Sequence, residues 1–385
     1  MKNTPIQNKK MYLFLALSMV AVAIGFQGWT ILINNFAVNV VHVNGFQMGA
    51  IQSLREVPGL LSFLAIYMLL MMTEKRIVAL GMLVMGLGIC LVGYFPTYYG
   101  IIFTTLIMSF GFHYSQAMSS SLSIQAFDKK EAPVVLGKLN SVAAISSILV
   151  SIAIFGLTFV MGYKSMFILL GFIPIIFGFG LLFFAPKTKE MSKQKKKIVL
   201  KKKYWLFYLL TFLDGARRQI FIAFAIFLLV DKFHYSLAAV TILFIFNNLV
   251  NYFVGNRIGK LVNVFGERKV LTLSYAFLIV VFLIYAFTSS GLIAGLMYII
   301  DNIFFNASVG ISTFFQKIAT KEDIAASTTV GFTINHIAAV VLPLVGGLLW
   351  LFHYRWVFIG AAIIAVISLV ATQYINRQIK KNITA

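Results

Sequence analysis

Charge is what this sequence lacks most. Only 11% of its 385 residues are charged, against about 25% in an ordinary soluble domain. The 32 basic and 11 acidic residues are too few to coat a folded chain of this size with water-binding groups. That scarcity argues against a soluble enzyme, a nucleic-acid binder and a disordered chain. Cysteine is almost missing. The single Cys90 excludes an intramolecular disulfide and a multi-cysteine metal site. It lies in an apolar stretch, where a thiol behaves as a small buried hydrophobe. There is no Gly-x-x-x-x-Gly-Lys-Ser/Thr loop to cradle a nucleotide, and no His-Glu-x-x-His pair to hold zinc. Primary pumping, zinc hydrolysis, cofactors and resident metals are therefore not expected.

Apolar residues are abundant: 60% of the chain is hydrophobic. A bilayer core of about 30 Å takes roughly 20 apolar residues of helix. Twelve such runs are present, at 11–35, 45–72, 76–95, 98–127, 134–161, 164–185, 204–231, 236–258, 268–288, 291–318, 325–352 and 355–376. None alternates apolar with polar as barrel strands do. The first run follows Lys9 and Lys10 and lacks a small-x-small cleavage site, so it reads as an uncleaved helix. The expected fold class is an all-α membrane protein with twelve transmembrane helices in two six-helix halves.

The basic residues are distributed unevenly between the connecting segments. Of the 32, 26 fall on one side of the predicted spans, nine of them lysines between 187 and 203. The other side has only Lys164, Lys232 and Arg355. The positive-inside bias then places both termini and the 186–203 linker in the cytoplasm, with the chain in a cytoplasmic, or inner, membrane. The same linker divides the chain into 1–185, an N-terminal bundle, and 204–385, a C-terminal bundle. Its lysines face anionic lipid or simply solvent. The halves repeat weakly: an offset of 191 superposes Gln125 on Gln316, Glu131 on Glu322, Gly156 on Gly347, Tyr163 on Tyr354 and Lys164 on Arg355. Two like-oriented repeats form a transporter architecture, with substrate held near the midplane.

Between the eighth and ninth runs the sequence reads Gly259-Lys-Leu261-Val-Asn263-Val-Phe265-Gly266-Glu267-Arg268-Lys269. This segment resembles the Gly-x-Leu-x-Asp-Arg-x-Gly-Arg-Arg/Lys loop of the major facilitator superfamily. The glycines, Leu261 and the Arg268-Lys269 pair match. Asn263 stands at the acidic position, and Val264 and Glu267 stand at basic ones. The resemblance implies a gating role for Gly259, Asn263, Gly266 and Arg268. It also implies that helices 1, 4, 7 and 10 line a central cavity, that helices 2, 5, 8 and 11 flank it, and that the rest face lipid. Pro343-Leu-Val-Gly346-Gly347 resembles the tail of an antiporter signature, but stands on helix 11 rather than helix 5.

Six charged residues fall inside the runs: Arg55, Glu56, Asp214, Arg217, Arg218 and Asp301, joined by His113 and His336. Each charge costs about 3 kcal/mol at the bilayer centre on insertion scales. At 1.5 Å per residue, Arg55, Asp214, Asp301 and His336 lie roughly 15 Å deep. Gln27, Gln116 and Asn248 add amides. Asp214 and Arg218 are four apart, so an intrahelical pair is expected, with Arg217 left to hold an anion through its planar fork. The six charges sum to zero, so a purely structural network is the competing expectation. Expected substrate contacts are Arg217, Arg218, Arg55, Gln27, His113, Gln116, Asn248 and His336. Proton coupling is expected at Asp301, Glu56 or Asp214, because a buried carboxyl can load and release a proton.

The expected activity is secondary transport of a small anionic or zwitterionic organic solute by a monomer, as symporter or antiporter, with import fitting a polar anion. The alternatives are a proton-driven drug or metabolite exporter and a transporter-like sensor. Expected partners are the small-molecule substrate, the proton and membrane lipid, with no nucleic acid.

Overall fold

The computed structural model describes residues 8–127, 131–184, 186 and 201–383. Among the described residues every regular element is a helix. In chain order they are α1 (Lys9–Asn39), α2 (Gly45–Leu60), α3 (Glu74–Val92), α4 (Tyr98–Gln125), α5 (Ala132–Leu157) and α6 (Tyr163–Phe183). The series continues with α7 (Trp205–Asp231), α8 (Leu237–Phe265), α9 (Glu267–Phe287) and α10 (Gly291–Phe305, resuming as Val309–Ile318). It ends with α11 (Lys321–Phe352), α12 (Tyr354–Thr372) and the short α13 (Ile375–Ile383). Residues 187–200 of the basic linker lie outside the described residues.

Three expectations about local structure are corrected. The run 45–72 is not one helix: α2 ends at Leu60 and passes through the 3-10 turn Leu61–Leu64 into Ala65–Leu69. Pro58 explains the break, since its ring removes a backbone donor and crowds the preceding turn. The run 291–318 is interrupted by the 3-10 turn Asn306–Ser308. There the Asn306 amide donates to the Asn302 carbonyl at 3.1 Å, in competition with the helical ladder. The segment containing Gly259 and Asn263 is not a loop, because α8 continues to Phe265. Gly266 alone breaks the helix, at φ +82°, and Arg268 already lies in α9. Only glycine takes that φ without penalty.

Eight helical stretches are long and apolar enough to cross a membrane. Outside that set are α2, which is only 16 residues long, and α4, α7 and α8.

The chain divides into two compact units. The first comprises 1–42, 54–193 and 237–245; the second comprises 43–53, 194–236 and 246–385. In the first, α1 packs on α5 and α6, and α3 packs on α4 and α6. Phe14, Leu15, Met82, Leu122 and Leu139 are buried together there. In the second, α7 packs on α11 and α12, and α9 packs on α10 and α12. The same four pairs recur with six added to each helix number. A repeated pattern of packed pairs follows when two segments with the same hydrophobic faces fold alike, as the 191-residue offset leads one to expect. The fold is a twelve-helix membrane protein built from two six-helix pseudo-repeats.

Candidate functional site

Each unit contains one buried cluster of charge. In the first unit α2 supplies Arg55 and Glu56, both under 10% exposed. Their side chains pair at 2.6 Å (Nη2 to Oε1). The guanidinium lies 6.0 Å from the Phe26 ring and 5.8 Å from the Trp29 ring of α1, within cation–π range. On α4, Ser109 and His113 are one turn apart and share a face. The Ser109 hydroxyl donates to the Arg55 carbonyl and lies 3.0 Å from His113 Nδ1. His113 Nε2 lies 3.9 Å from Glu56 Oε2. Ser109, Phe26 and Trp29 were not singled out in the sequence, since a serine or an aromatic in an apolar helix carries no distinguishing signal. Gln27 keeps a buried Nε2 without a hydrogen-bond partner, and Gln116 is exposed.

In the second unit the pairing expected on α7 is reversed. Arg217, 1% exposed, takes both carboxylates: Nη2 to Asp214 at 3.0 Å and Nη1 to Asp301 of α10 at 3.3 Å. Arg218 instead donates to the Asn335 amide oxygen of α11 at 2.5 Å. The expectation that Asp214 holds Arg218 and leaves Arg217 for an anion is thus corrected. Asp301 takes its cation from another helix. Residues three apart on a helix are neighbours just as residues four apart are, and i+3 prevails here because Arg217 also reaches α10. Gly215 lets Asn335 approach: a Cβ there would sit 2.7 Å from the Asn335 amide nitrogen.

Asp301 is fully buried, and its Oδ2 has no hydrogen-bond partner. Two buried tyrosines of α9 lie within electrostatic reach of the same cluster, Tyr275 of Asp214 and Arg217, and Tyr285 of Asp301. Their hydroxyls also lack partners. Sequence reasoning missed both, because tyrosines are ordinary in membrane helices. The polar stripe after Asp301 is local scaffolding: Asn302 donates to the Tyr298 carbonyl, and Asn306 donates to Asn251 on α8 at 2.9 Å. His336 lies 3.0 Å (Nδ1) from the Phe332 carbonyl and packs on the Phe332 ring. Asn248 has a buried amide nitrogen without a partner.

The arithmetic of the two clusters differs. Arg55 and Glu56 cancel. Asp214, Arg217 and Asp301 sum to one negative charge when all three are ionised. Arg218, one residue along α7, supplies the remaining positive charge of the neighbourhood and is hydrogen-bonded to Asn335.

Buried, paired ionisable groups on the helices of a membrane protein are the usual mark of a functional site. The family model of the Major Facilitator Superfamily matches residues 15–343, and the chain belongs to that family. Solved structures of the same fold include the nucleoside transporter NupG, at a TM-score of 0.77 and 13% identity, covering 95% of this chain and 98% of that one. A bacterial homolog of the human lysosomal transporter Spinster aligns at a TM-score of 0.75 and 13% identity, over 98% and 99%. A bacterial homologue of the iron transporter ferroportin aligns at 0.75 and 11%, over 95% and 98%. No curated protein matches the sequence.

Proposed function

We propose that this chain is a proton-coupled secondary active transporter. Its cargo is a small anionic or zwitterionic organic solute, moved by alternating access as a monomer. The membrane is the cytoplasmic one, with both termini and the 186–203 linker inside, and 1–185 and 204–385 acting as the two halves. One observation carries this reading: a single arginine, Arg217, is shared by two buried carboxylates from different helices. Two carboxylates that share one guanidinium can take up a proton and give it up when their surroundings change. Asp301, with an oxygen lacking a partner, is the group that carries it. Glu56 is already matched by Arg55 and is the second candidate.

The triad uses Arg217 for structure and coupling, so substrate anion recognition passes to Arg218 and Arg55. Arg218 is only half-buried and is held by a neutral amide. Its fork remains suited to a carboxylate or phosphate. Gln27, His113, Gln116, Asn248 and His336 complete the proposed contacts. The Gly259–Arg268 segment acts as a hinged helix–helix junction in gating.

The test is a proteoliposome assay with and without an imposed pH gradient. Asp301→Asn is expected to abolish uphill accumulation while leaving substrate exchange measurable, because exchange moves no net proton. Accumulation by Asp301→Asn equal to wild type would sink the coupling assignment.

A further inference from the structure

The two acids described at the linker-proximal end of the second unit are both engaged by lysine. Glu267 pairs with Lys317 at 2.7 Å, and Asp323 pairs with Lys201 at 2.7 Å and more loosely with Lys203 at 3.7 Å. The basic residues there outnumber them, so this end is net positive. Three of the bases lie on α13, which carries no acid. Its sequence, Ile-Asn-Arg-Gln-Ile-Lys-Lys-Asn-Ile, places Ile375 and Ile379 one turn apart, with Arg377, Lys380 and Lys381 on the remaining surface. Ile375 is fully buried, and the helix packs on α9 and on the 309–318 part of α10. Arg377, Lys380 and Lys381 are exposed.

Two hydrogen bonds hold this helix and the turn before it against the unit. Gln378 Nε2 donates to the Lys203 carbonyl at 2.8 Å, and Gln373 Nε2 donates to Thr272 Oγ1 of α9 at 2.9 Å. The first bond brings α13 beside Lys202 and Lys203, which precede α7. Next to them, Tyr374 and Trp205 meet edge to face at 6.5 Å, each 46% exposed. Exposed tyrosine and tryptophan at a helix end mark headgroup depth in a bilayer.

We propose that this end of the second unit is a binding site for an anionic phospholipid. The occupant must offer negative oxygens to Arg377, Lys380, Lys381 and Lys203, and an apolar chain to the open faces of Trp205 and Tyr374, one turn away. A phospholipid supplies both in one molecule; inorganic phosphate or a soluble polyanion supplies only the first. A short amphipathic helix that is basic on its outer face lies in the interface plane in this way. The inference does not depend on the transport reading.

The test compares phosphatidylglycerol with phosphatidylcholine on the full chain, by native mass spectrometry of bound lipid and by thermal unfolding in nanodiscs of each lipid. Wild type is expected to retain phosphatidylglycerol preferentially and to melt higher in it. Each basic residue near an anionic surface is worth roughly five-fold in binding, so Arg377→Gln/Lys380→Gln/Lys381→Gln should weaken the preference by on the order of a hundred-fold. Should the triple variant fail to fold, the wild-type protein alone decides, since its preference must fall as salt rises. Equal retention of the two lipids, or a preference indifferent to salt, would overturn the proposal. So would displacement of the lipid by millimolar inorganic phosphate.

Discussion

At the scale of single residues, adjacent arginines on α7 have unequal duties. Arg217 is shut between two carboxylates, so Arg217→Gln leaves both without their cation. Breaking a buried pair by removing one partner costs about 3–5 kcal/mol. We expect that variant to lose most of its folded yield in fluorescence size-exclusion. Adding Asp301→Asn should recover part of it, because the surplus charge then disappears. Arg218→Gln gives up the hydrogen bond to the Asn335 amide at a half-buried position. It should fold, with a loss of about 1–2 kcal/mol, and fail in substrate uptake. Equal yields for Arg217→Gln and Arg218→Gln would contradict this division. That charges lie within α2, α7 and α10 was legible in the sequence, because arginine and acids stand out in apolar runs. Their pairing was not. Spacing on one helix leaves i+3 and i+4 equally open, and the choice was made by Asp301, 84 residues further along.

Among the helices, the junctions carry the testable detail. Gly266 is the only residue between α8 and α9, at φ +82°, and a Cβ there would meet nothing within 4 Å. With ψ at 156° this is a backbone region essentially confined to glycine, so Gly266→Ala should cost about 1–3 kcal/mol, and Gly266→Asn at least as much. A thermal melt ranks the two. At the start of α11, Asp323 accepts from Lys201 Nζ and Tyr204 Oη, each at 2.7 Å. The Lys201 and Tyr204 hydrogen bonds hold its carboxyl down at about 2, below the ordinary carboxylate range. A depressed folded value means stability that is present above the unfolded value of about 3.9 and is lost as pH falls through about 2. Asp323→Asn should thus lower the melting temperature by a few degrees at neutral pH and remove that acid-range dependence. A melt unchanged by the substitution would count against the tether. The helical runs and their order were readable from hydropathy alone. The breaks after Pro58 and at Asn306 were not, because a bilayer-length apolar run looks the same whether or not its ladder is interrupted. The signature-like segment misled for the opposite reason: a matching motif suggested a loop, while no glycine or proline from Lys260 to Phe265 interrupts the helix.

For the molecule as a whole, the repeated pairing of α1, α3, α4, α5 and α6 in α7, α9, α10, α11 and α12 was visible in outline in the 191-residue offset. The cargo was not, since one arginine fork accepts many anions. Orientation can be checked directly. In a Cys90→Ala background, a cysteine at Arg377 should react with an impermeant maleimide only when the cytoplasmic face is open. A cysteine at Tyr99, which is 79% exposed, should react from outside intact cells. The reverse pattern would overturn the topology. The surplus carboxylate beside Arg217 has a further consequence. A carrier that takes up a proton on one side and sheds it on the other changes its own charge between the two crossings. With a zwitterionic cargo, one of those crossings then moves an elementary charge through the membrane field, and membrane voltage acts on it by about 2.3 kcal/mol per 100 mV. Turnover should therefore respond to an imposed potential at constant pH, and Asp301→Asn, with equal charge on both crossings, should be indifferent to voltage.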